Sequence, residues 1–366
     1  MTLILSNDEI STLLSMRDCL ARLEETYRDL GERRAGNRPR SDLSIPVGPN
    51  SRYIFKTMDG ITPRYNVAAL RLNSDVIQWQ ENSAGVRKDK QAVAPGGLWV
   101  GLVLLFSTRT GEPLAIMPDG VIQRLRVAIA NAIAAKYMTP SDASVYAQIG
   151  AGWQAGAQAQ AMAAVRPLRE IRIYSPTSAN RERLATELAH KLGISVLPVD
   201  DPRVALKGAH IVGLATNSVT PVVELDWLEP YAHVTCVKEL ELGSGILESC
   251  AQVVVHTRVG RPANYLVEKG ETPIIRHDPD ELIGAAAKHR RITPPKSVDL
   301  SLQPDLGELV TGKTHLPQGN AMTCFVNTIG LGVQFAALGS LAYEKAKERG
   351  FGREVPTDWF LEAVHP

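Results

Sequence analysis

The fold is decided by the stretch Ala143-Ser-Val-Tyr-Ala-Gln-Ile-Gly-Ala-Gly-Trp-Gln-Ala155. An apolar strand runs into two glycines spaced as G-x-G, and an alanine-rich segment with helical propensity follows. Glycines permit a tight turn there, and the N–H groups of the following helix then face the phosphates of a dinucleotide. A second predicted strand at 170–174 closes a βαβ unit of about 30 residues. We therefore predict a dinucleotide site at Gly150–Ala155, with a Gly-rich turn that binds nothing as the alternative.

Strands and helices alternate from residue 143 to about residue 325. Such alternation is typical of an α/β protein with a parallel, doubly wound Rossmann sheet. The segment from Cys324 to Arg349 is predicted as one long helix that Gly350 ends. The predicted strands are 143–149, 170–174, 194–199, 210–214, 232–237 and 252–256.

The first 138 residues follow a different pattern. Ser6 and Glu9 predict a capped helix start, and apolar residues at helical spacing extend this helix to Gly31. Runs rich in β-formers, broken by Pro, Gly, Asn and Asp, follow between residues 38 and 120 and predict an antiparallel sheet or partial barrel. Residues 121–138 are apolar nearly all round, so we expect a helix buried between domains.

The composition excludes several classes of protein. The 366 residues are 44% hydrophobic and 22% charged, which is typical of a globular protein long enough for two domains. A net charge of +1 gives no electrostatic case for nucleic acid or membrane partners. Scattered cysteines and histidines argue against a metal site. No signal peptide or membrane-length apolar run occurs, so a cytoplasmic location is expected.

The end of the second predicted strand carries no acidic residue between Tyr174 and Arg181. An acid at this point usually accepts hydrogen bonds from the ribose of NAD. Ser175, Thr177 and Arg181 can instead donate to a 2′-phosphate, so the sequence favours NADP over NAD. The alternative is that Thr177 only caps the next helix.

Polar loops follow two further strands, at the carboxyl edge where ligands of such sheets bind. Thr216 and Ser218 can contact the nicotinamide ribose, although the residues alone favour an ordinary polar turn. Glu239 and Glu241 follow the next strand and are candidates to move a proton to or from a substrate nitrogen. A solvated charged turn is the alternative for these carboxylates.

Two arginines stand in apolar elements, Arg71 in a predicted strand and Arg126 in the apolar helix. Each needs a partner, because an unpaired buried charge is costly. A substrate carboxylate, which a guanidinium binds with two hydrogen bonds, is one candidate. An internal Asp or Glu is the other candidate, and the sequence leaves both open for each arginine.

Together these pieces resemble the ornithine cyclodeaminase/mu-crystallin family over residues 38 to 352. The resemblance implies a homodimer and a Rossmann domain (residues 126–325) inserted into a discontinuous α+β dimerisation and substrate domain (residues 1–125 and 326–366). The matching stretches are Gly111–Gly120, Arg126–Ala132, Gly150–Ala155, Ala215–Ser218, Asp305–Val310, Thr328–Leu331 and Tyr343–Gly350.

The resemblance also implies an NAD(P)-dependent oxidoreductase acting on the C–N bond of a small imino or amino acid, of ketimine reductase or amino-acid dehydrogenase type. An ammonia-eliminating lyase that recycles NAD is one alternative. A crystallin-like protein that binds a nucleotide and a small ligand without turnover is another. Arg126 matches the family arginine that binds the substrate carboxylate, and Arg40 matches a second one. The implied cofactor contacts are Gly150, Gly152, Trp153, Gln154, Ala155, Ser175, Thr177, Arg181, Thr216, Asn217, Ser218, Val237, Thr328 and Gly330.

The substrate half departs from the family pattern. Arg71 stands where the family commonly has a lysine that acts on the substrate nitrogen, and arginine is a poor proton donor at neutral pH. The family's catalytic aspartate falls near Leu240, between Glu239 and Glu241. We therefore expect Glu239, Glu241 and Arg71 to carry the chemistry. The same departures predict that Asn73, Asp75 and Trp79 shape a different substrate pocket.

Overall fold

The computed structural model describes residues 1–82, 85–218, 220–258, 263–266, 274–276, 298–317, 321–327 and 329–364. The α-helices in these ranges are α1 (Asn7–Leu13), α2 (Met16–Gly31), α3 (Gly120–Met138), α4 (Trp153–Val165), α5 (Ser178–Leu192), α6 (Pro202–Leu206), α7 (Ile246–Ser249), α8 (Leu306–Val310) and α9 (Gly332–Arg349). The strands are β1 (Thr2–Ile4), β2 (Gly36–Asn37), β3 (Ser41–Gly48), β4 (Ser51–Thr62), β5 (Val67–Asn82), β6 (Gly85–Lys90), β7 (Val100–Ser107), β8 (Pro113–Pro118), β9 (Val145–Ile149), β10 (Glu170–Tyr174), β11 (Ser195–Val199), β12 (Ile211–Leu214), β13 (His233–Cys236), β14 (Gln252–Val255), β15 (Ala263–Leu266), β16 (Ile274–Arg276), β17 (Thr323–Val326) and β18 (Arg353–Val355).

One sheet is parallel throughout and has the strand order β11-β10-β9-β12-β13-β17-β14. The strand order reverses at β9, because β10 lies on one side of it and β12 on the other. The carboxyl ends of β9 and β12 therefore form the crevice in which such sheets bind ligands. This arrangement confirms the predicted α/β fold with a doubly wound Rossmann sheet.

The second sheet is mixed and draws on both ends of the chain. Its order is β16-β15-β3-β4-β5-β7-β8-β1-β18, with β2 on β4 and β6 on β5. Helix α9 covers one face: Gly339 lies against Val103 and Leu105, both fully buried. Leu72 and Leu102 pair on the opposite face and are only half-buried. The sheet therefore has one face in the core and one apolar face that is less covered.

The prediction of one continuous helix from Ser6 to Gly31 is wrong, because the structure has two helices there. Leu14 has extended backbone angles and ends α1. Ser15 then caps α2 by accepting a hydrogen bond from the backbone N–H of Asp18 at 3.1 Å. This local cap competes with the apolar periodicity and restarts the helix.

The helix predicted from Cys324 is wrong at its start. Residues Thr323–Val326 are buried and form β17, which pairs with β13 on one side and β14 on the other. Helix α9 begins only at Gly332. Pairing on both sides within the sheet overrides the helical spacing of a four-residue run.

The structure differs from the predicted domain boundaries at two places. The boundary between residues 125 and 126 falls inside α3. Strand β15 belongs to the segment predicted as Rossmann but pairs with β3 of the mixed sheet. No helix within the described ranges combines the length and the apolar run that crossing a membrane requires.

Candidate functional site at the carboxyl edge of the parallel sheet

The turn between β9 and α4 requires glycine at its first position. Gly150 has φ +102°, and an added Cβ would lie 2.4 Å from the carbonyl oxygen of Ala215. Its N–H donates to the carbonyl of Tyr174 at 2.8 Å, which fixes the turn against β10. Only glycine combines this left-handed backbone with so close an approach. The turn therefore lies in the crevice between β9 and β12.

Gly152 is the N-cap of α4, and no side chain caps this helix. A Cβ added to Gly152 would meet no atom within 4 Å. The space beside Gly152 is therefore open. Among the first-turn N–H groups, that of Ala155 donates to the Gly152 carbonyl at 3.2 Å, and helix geometry leaves those of Trp153 and Gln154 without acceptors inside the helix. A helix N-terminus of this kind attracts a phosphate through its free N–H groups and its dipole. A dinucleotide pyrophosphate fits the residues present.

The side chains that follow this turn point elsewhere. Gln154 Nε2 donates to the carbonyl of Arg124 on α3 at 3.1 Å. Trp153 is 56% exposed, with the Arg124 guanidinium 5.5 Å from its ring centroid. Ala155 is fully buried. The backbone N–H groups of Trp153 and Gln154 stay candidates for the pyrophosphate, whereas the Ala155 N–H donates to the Gly152 carbonyl at 3.2 Å.

The end of β10 presents donors and no carboxylate between residues 175 and 181. Ser175 is buried, and its carbonyl accepts a hydrogen bond from Arg181 Nη1 at 2.9 Å. Thr177 is the N-cap of α5, but its side chain makes no capping hydrogen bond. Thr177 therefore does not cap α5 with a side-chain hydrogen bond, which was the alternative role for this residue. Thr177 is exposed.

Glu241 joins the loops that follow β12 and β13. Its Oε1 accepts from the N–H and the hydroxyl of Thr216, each at 2.7 Å. Its Oε2 accepts from the N–H groups of Val237 and Lys238 at 3.2 and 3.1 Å. Burial raises the pKa of this carboxyl. Both carboxylate oxygens accept hydrogen bonds from the protein, so the geometry gives Glu241 the role of holding the two loops together in place of the predicted proton transfer. Glu239 is half-buried.

The neighbouring loop residues are positioned by the same contacts. The Ser218 N–H donates to the Thr216 hydroxyl at 3.2 Å, and Lys238 Nζ donates to the Ser218 carbonyl at 3.1 Å. Asn217 is exposed at the tip of this loop. Thr216 and Ser218 thus lie in the loop that follows β12, and their contact with a nicotinamide ribose stays a prediction.

Arg71 has the internal partner that the sequence left open. Its Nε and Nη2 lie 2.8 and 2.7 Å from Oδ2 of Asp119, at the start of α3. Asn73 Nδ2 donates to the same oxygen at 3.3 Å. Gly101 leaves the space for this cluster, because a Cβ there would lie 2.1 Å from Asp119 Oδ1. Sequence reasoning missed Asp119, whose only signal was its place in the matching stretch Gly111–Gly120.

Two of the predicted pocket residues face other protein groups. Asp75 is buried, and its Oδ2 lies 3.0 Å from both Lys56 Nζ and Lys90 Nζ. Trp79 is 6% exposed and belongs to a small apolar cluster formed by β4 and β5. These contacts contradict the prediction that Asp75 and Trp79 shape a substrate pocket, because neither side chain is left open to a ligand.

Arg126 is a buried cation that forms no ion pair with the described residues. Among the described residues, no carboxylate lies within 4.0 Å of its guanidinium, which contacts Gln123 Oε1 at 3.2 Å and Gln334 Oε1 at 3.5 Å. Burial and the nearby Arg71 lower its pKa to about 9. A Cβ on Gly330 would lie 2.8 Å from both terminal nitrogens, so the backbone passes directly against the guanidinium. The predicted Thr328 lies outside the described residues.

The two halves of the site meet at one edge of the parallel sheet. Gly150 follows β9 and contacts Ala215 after β12, while Gly330 follows β17 and contacts Arg126. Arg40 lies near enough to Arg126 to contribute to the lowering of its pKa, and its Nε is 2.9 Å from Asp42 Oδ1 in an ion pair. Within the described ranges, no group of three or more His, Cys, Asp or Glu side chains is placed to hold a metal.

The sequence profile of the ornithine cyclodeaminase/mu-crystallin family matches residues 82–350. The chain belongs to this family. A cyclodeaminase of Sinorhizobium fredii, itself uncharacterised, is 31% identical over 254 residues, which are 69% of this chain and 72% of that protein. The family resemblance of the sequence is thereby confirmed.

Two solved structures share the fold. The Δ1-pyrroline-2-carboxylate reductase of Thermococcus litoralis, in complex with NADH and L-proline, is 25% identical with a TM-score of 0.75, covering 97% of this chain and 100% of that one. An archaeal alanine dehydrogenase dimer with bound NAD is 21% identical with a TM-score of 0.71, covering 97% and 99%.

Proposed function

We propose that this family member is an NAD(P)-dependent oxidoreductase that acts on the C–N bond of a small imino or amino acid. The observation that carries the proposal is Arg126, a buried guanidinium that forms no ion pair with the described residues. It lies at the sheet edge that also holds the Gly150–Gly152 turn. A buried cation without a counter-charge is costly, and a substrate carboxylate would neutralise it. The reductase that binds NADH and L-proline supports the same chemistry.

The residues of this chain have separable tasks. A nicotinamide dinucleotide, when bound, would supply or accept the hydride. The N-terminus of α4 binds its pyrophosphate, and Arg126 binds and orients the substrate carboxylate. Arg71 is fixed by Asp119 and donates hydrogen bonds without giving up a proton, because guanidinium stays protonated. We assign proton transfer to Glu239, a half-buried carboxylate in the segment that follows β13.

NADP is the proposed cofactor of choice. Arg181, Thr177 and Ser175 stand at the carboxyl end of β10 without an acidic neighbour. A carboxylate at this place would accept from ribose hydroxyls and repel a 2′-phosphate, whereas donors and a guanidinium favour the phosphate. NAD binding by relatives supports the dinucleotide site and leaves the preference to measurement.

A homodimer is proposed through the less covered face of the mixed sheet. Leu43 and Ile45 on β3 are 45% and 39% exposed. Their register places them on the same face as Leu72 and Leu102, which are half-buried. Contiguous apolar surface of this kind usually marks an interface. A second copy of the chain is the proposed occupant, as the dimeric state of the alanine dehydrogenase with this fold supports.

The experiment uses purified protein, NADPH or NADH, and a panel of imines that begins with Δ1-pyrroline-2-carboxylate. We expect loss of the absorbance of the reduced nicotinamide. Arg126→Gln should raise KM about 100-fold, because the carboxylate loses its charge-assisted hydrogen bonds. Arg183→Gln, in an exposed ion pair on α5, is the matched control and should leave KM unchanged.

Two results would contradict the proposal. Ammonia release from ornithine at constant nicotinamide absorbance would identify the lyase alternative. Failure of both NADPH and NADH to raise the melting temperature would remove the dinucleotide site itself, since a bound ligand must stabilise the folded state.

A further inference from the structure

A chain of buried polar side chains ends on Arg126. His256 follows β14, and its Nε2 lies 2.6 Å from the hydroxyl of Tyr27 on α2. That hydroxyl accepts a hydrogen bond from Gln334 Nε2 on α9 at 2.7 Å. Gln334 Oε1 faces Arg126 Nη1 at 3.5 Å. All four residues are buried, so four elements that are distant in sequence are joined by one polar network.

The direction of every hydrogen bond in this network is determined. Nδ1 of His256 lies against the carbonyl of Ile329, which can only accept, so Nδ1 carries the hydrogen. Nε2 of His256 must then accept from the Tyr27 hydroxyl, which in turn accepts from Gln334. Burial lowers the pKa of His256 to about 3, so the ring stays neutral and keeps this direction at neutral pH.

The orientation of the Gln334 amide follows from its neighbours. Its Nε2 has two acceptors, the Tyr27 hydroxyl and the carbonyl of Arg126 at 3.2 Å. Its Oε1 accepts from the N–H of Leu331 at 3.0 Å. A flipped amide would place Oε1 against a carbonyl and leave the Leu331 N–H without an acceptor. The amide oxygen is therefore locked toward the Arg126 guanidinium.

Helix α9 presents a second uncharged group to the same cation. The ring of Phe335 lies 5.7 Å from the guanidinium carbon of Arg126 and 5.3 Å from that of Arg71. A ring face attracts a cation but does not neutralise its charge. The first turn of α9 thus holds Arg126 with an amide oxygen and an aromatic ring.

We infer that Gln334 is a positioning residue, locked by Tyr27 and His256, that orients Arg126 while leaving its charge free for a ligand carboxylate. This inference rests on the proposed function, in which Arg126 binds that carboxylate. A glutamate at the same place would have nearly the same shape but would pair with Arg126 from inside the protein. The uncharged amide is what keeps the site selective for an external anion.

The test measures carboxylate affinity directly, so it does not depend on turnover. Pyrrole-2-carboxylate, a ring acid that cannot accept a hydride as an imine does, is titrated by calorimetry into the NADH complex, with pyrrole as the uncharged control. Gln334→Glu should weaken pyrrole-2-carboxylate at least ~10-fold, as expected for loss of one charge-assisted interaction, and leave NADH affinity within about twofold. For a reduced imine, KM should rise by the same factor while kcat changes less.

Tyr27→Phe removes only the hydroxyl that locks the amide, and it should weaken pyrrole-2-carboxylate about threefold to tenfold. This variant decides the question if Gln334→Glu does not fold. Equal affinity in the wild type and both variants would overturn the inference, as would a wild-type NADH complex that binds no pyrrole-2-carboxylate. Imine reduction in that same preparation would leave the proposed function standing. Conversely, carboxylate binding with the expected differences but no reduction of any imine would overturn the proposed function alone.

Discussion

Gly150 and Gly152 lie two residues apart and face different surroundings. A Cβ on Gly150 would clash with the carbonyl of Ala215 2.4 Å away, on a backbone with φ +102°. A Cβ on Gly152 would enter open space, on a backbone with φ −80° that any residue adopts. The fold itself therefore requires the first glycine. The second glycine is required only when a ligand occupies the open space before α4.

Gly152→Asp should separate binding from stability. Aspartate is a favourable N-cap, so the melting temperature of the free protein should stay the same or rise. The carboxylate would occupy the place of the pyrophosphate, so NADPH should no longer quench protein fluorescence at concentrations that saturate the wild type.

Gly150→Ala is the contrasting variant at the same turn. The left-handed backbone alone costs an alanine about 1–2 kcal/mol, and the clash adds to this, so the melting temperature should fall. If Gly152→Asp still binds NADPH, the space beside Gly152 is not the pyrophosphate site. If Gly150→Ala keeps the wild-type melting temperature, the turn does not require glycine at position 150.

At the scale of elements, β3, β4, β5 and β7 present two unlike faces. Arg71, Val103 and Met117 are buried on the face toward α9. Leu43 and Ile45 are exposed on the other face. The alternation of side chains along a strand produces both faces from one sequence. Among the residues that the structure describes, α9 covers the first face, whereas the second face is less covered.

The double variant Leu43→Lys with Ile45→Lys should convert a dimer into a monomer. Two ammonium groups within an apolar interface would lose hydration without gaining partners. Sedimentation velocity measures the change in mass. Leu197→Lys is the control, since Leu197 is 43% exposed but lies on β11 of the parallel sheet, and it should leave the mass unchanged. A double variant that sediments as the wild type does would remove this face as the interface.

For the whole molecule, two buried histidines link folding to pH. Burial lowers the pKa of His233 and of His256 from 6.5 to about 3. Both are neutral in the folded state, whereas the unfolded chain takes up protons below about pH 6.5. Stability is therefore fully present above that pH and is lost as pH falls toward 3.

The free energy of unfolding from urea titrations should decline with a slope of about 1.4 kcal/mol per pH unit for each histidine between pH 6 and 5. His233→Asn keeps a donor near the Thr323 hydroxyl, which lies 2.9 Å from His233 Nδ1, and should remove one such contribution to the slope. A variant with the wild-type slope would show that His233 titrates normally in the folded protein.

The sequence alone predicted the Rossmann sheet, because six of its strands and the Gly150–Gly152 turn are local patterns. Hydrophobic runs and glycine spacing depend only on residues that are close in the chain. The elements predicted from them are therefore present in the structure. The sequence also identified Arg71 and Arg126 as charges in apolar elements. For that reason both arginines could be singled out before their surroundings were known.

Only the tertiary structure decided what each charge faces. Arg71 and Asp119 are 48 residues apart and meet at 2.8 Å, while Arg126 meets Gln334 from 208 residues away and no carboxylate among the described residues. Strand β17 was missed for the same reason, since its pairing partners β13 and β14 are remote in sequence. Local patterns fix which elements form. Contacts between distant residues fix that Arg71 meets a carboxylate and that Arg126 meets an amide oxygen.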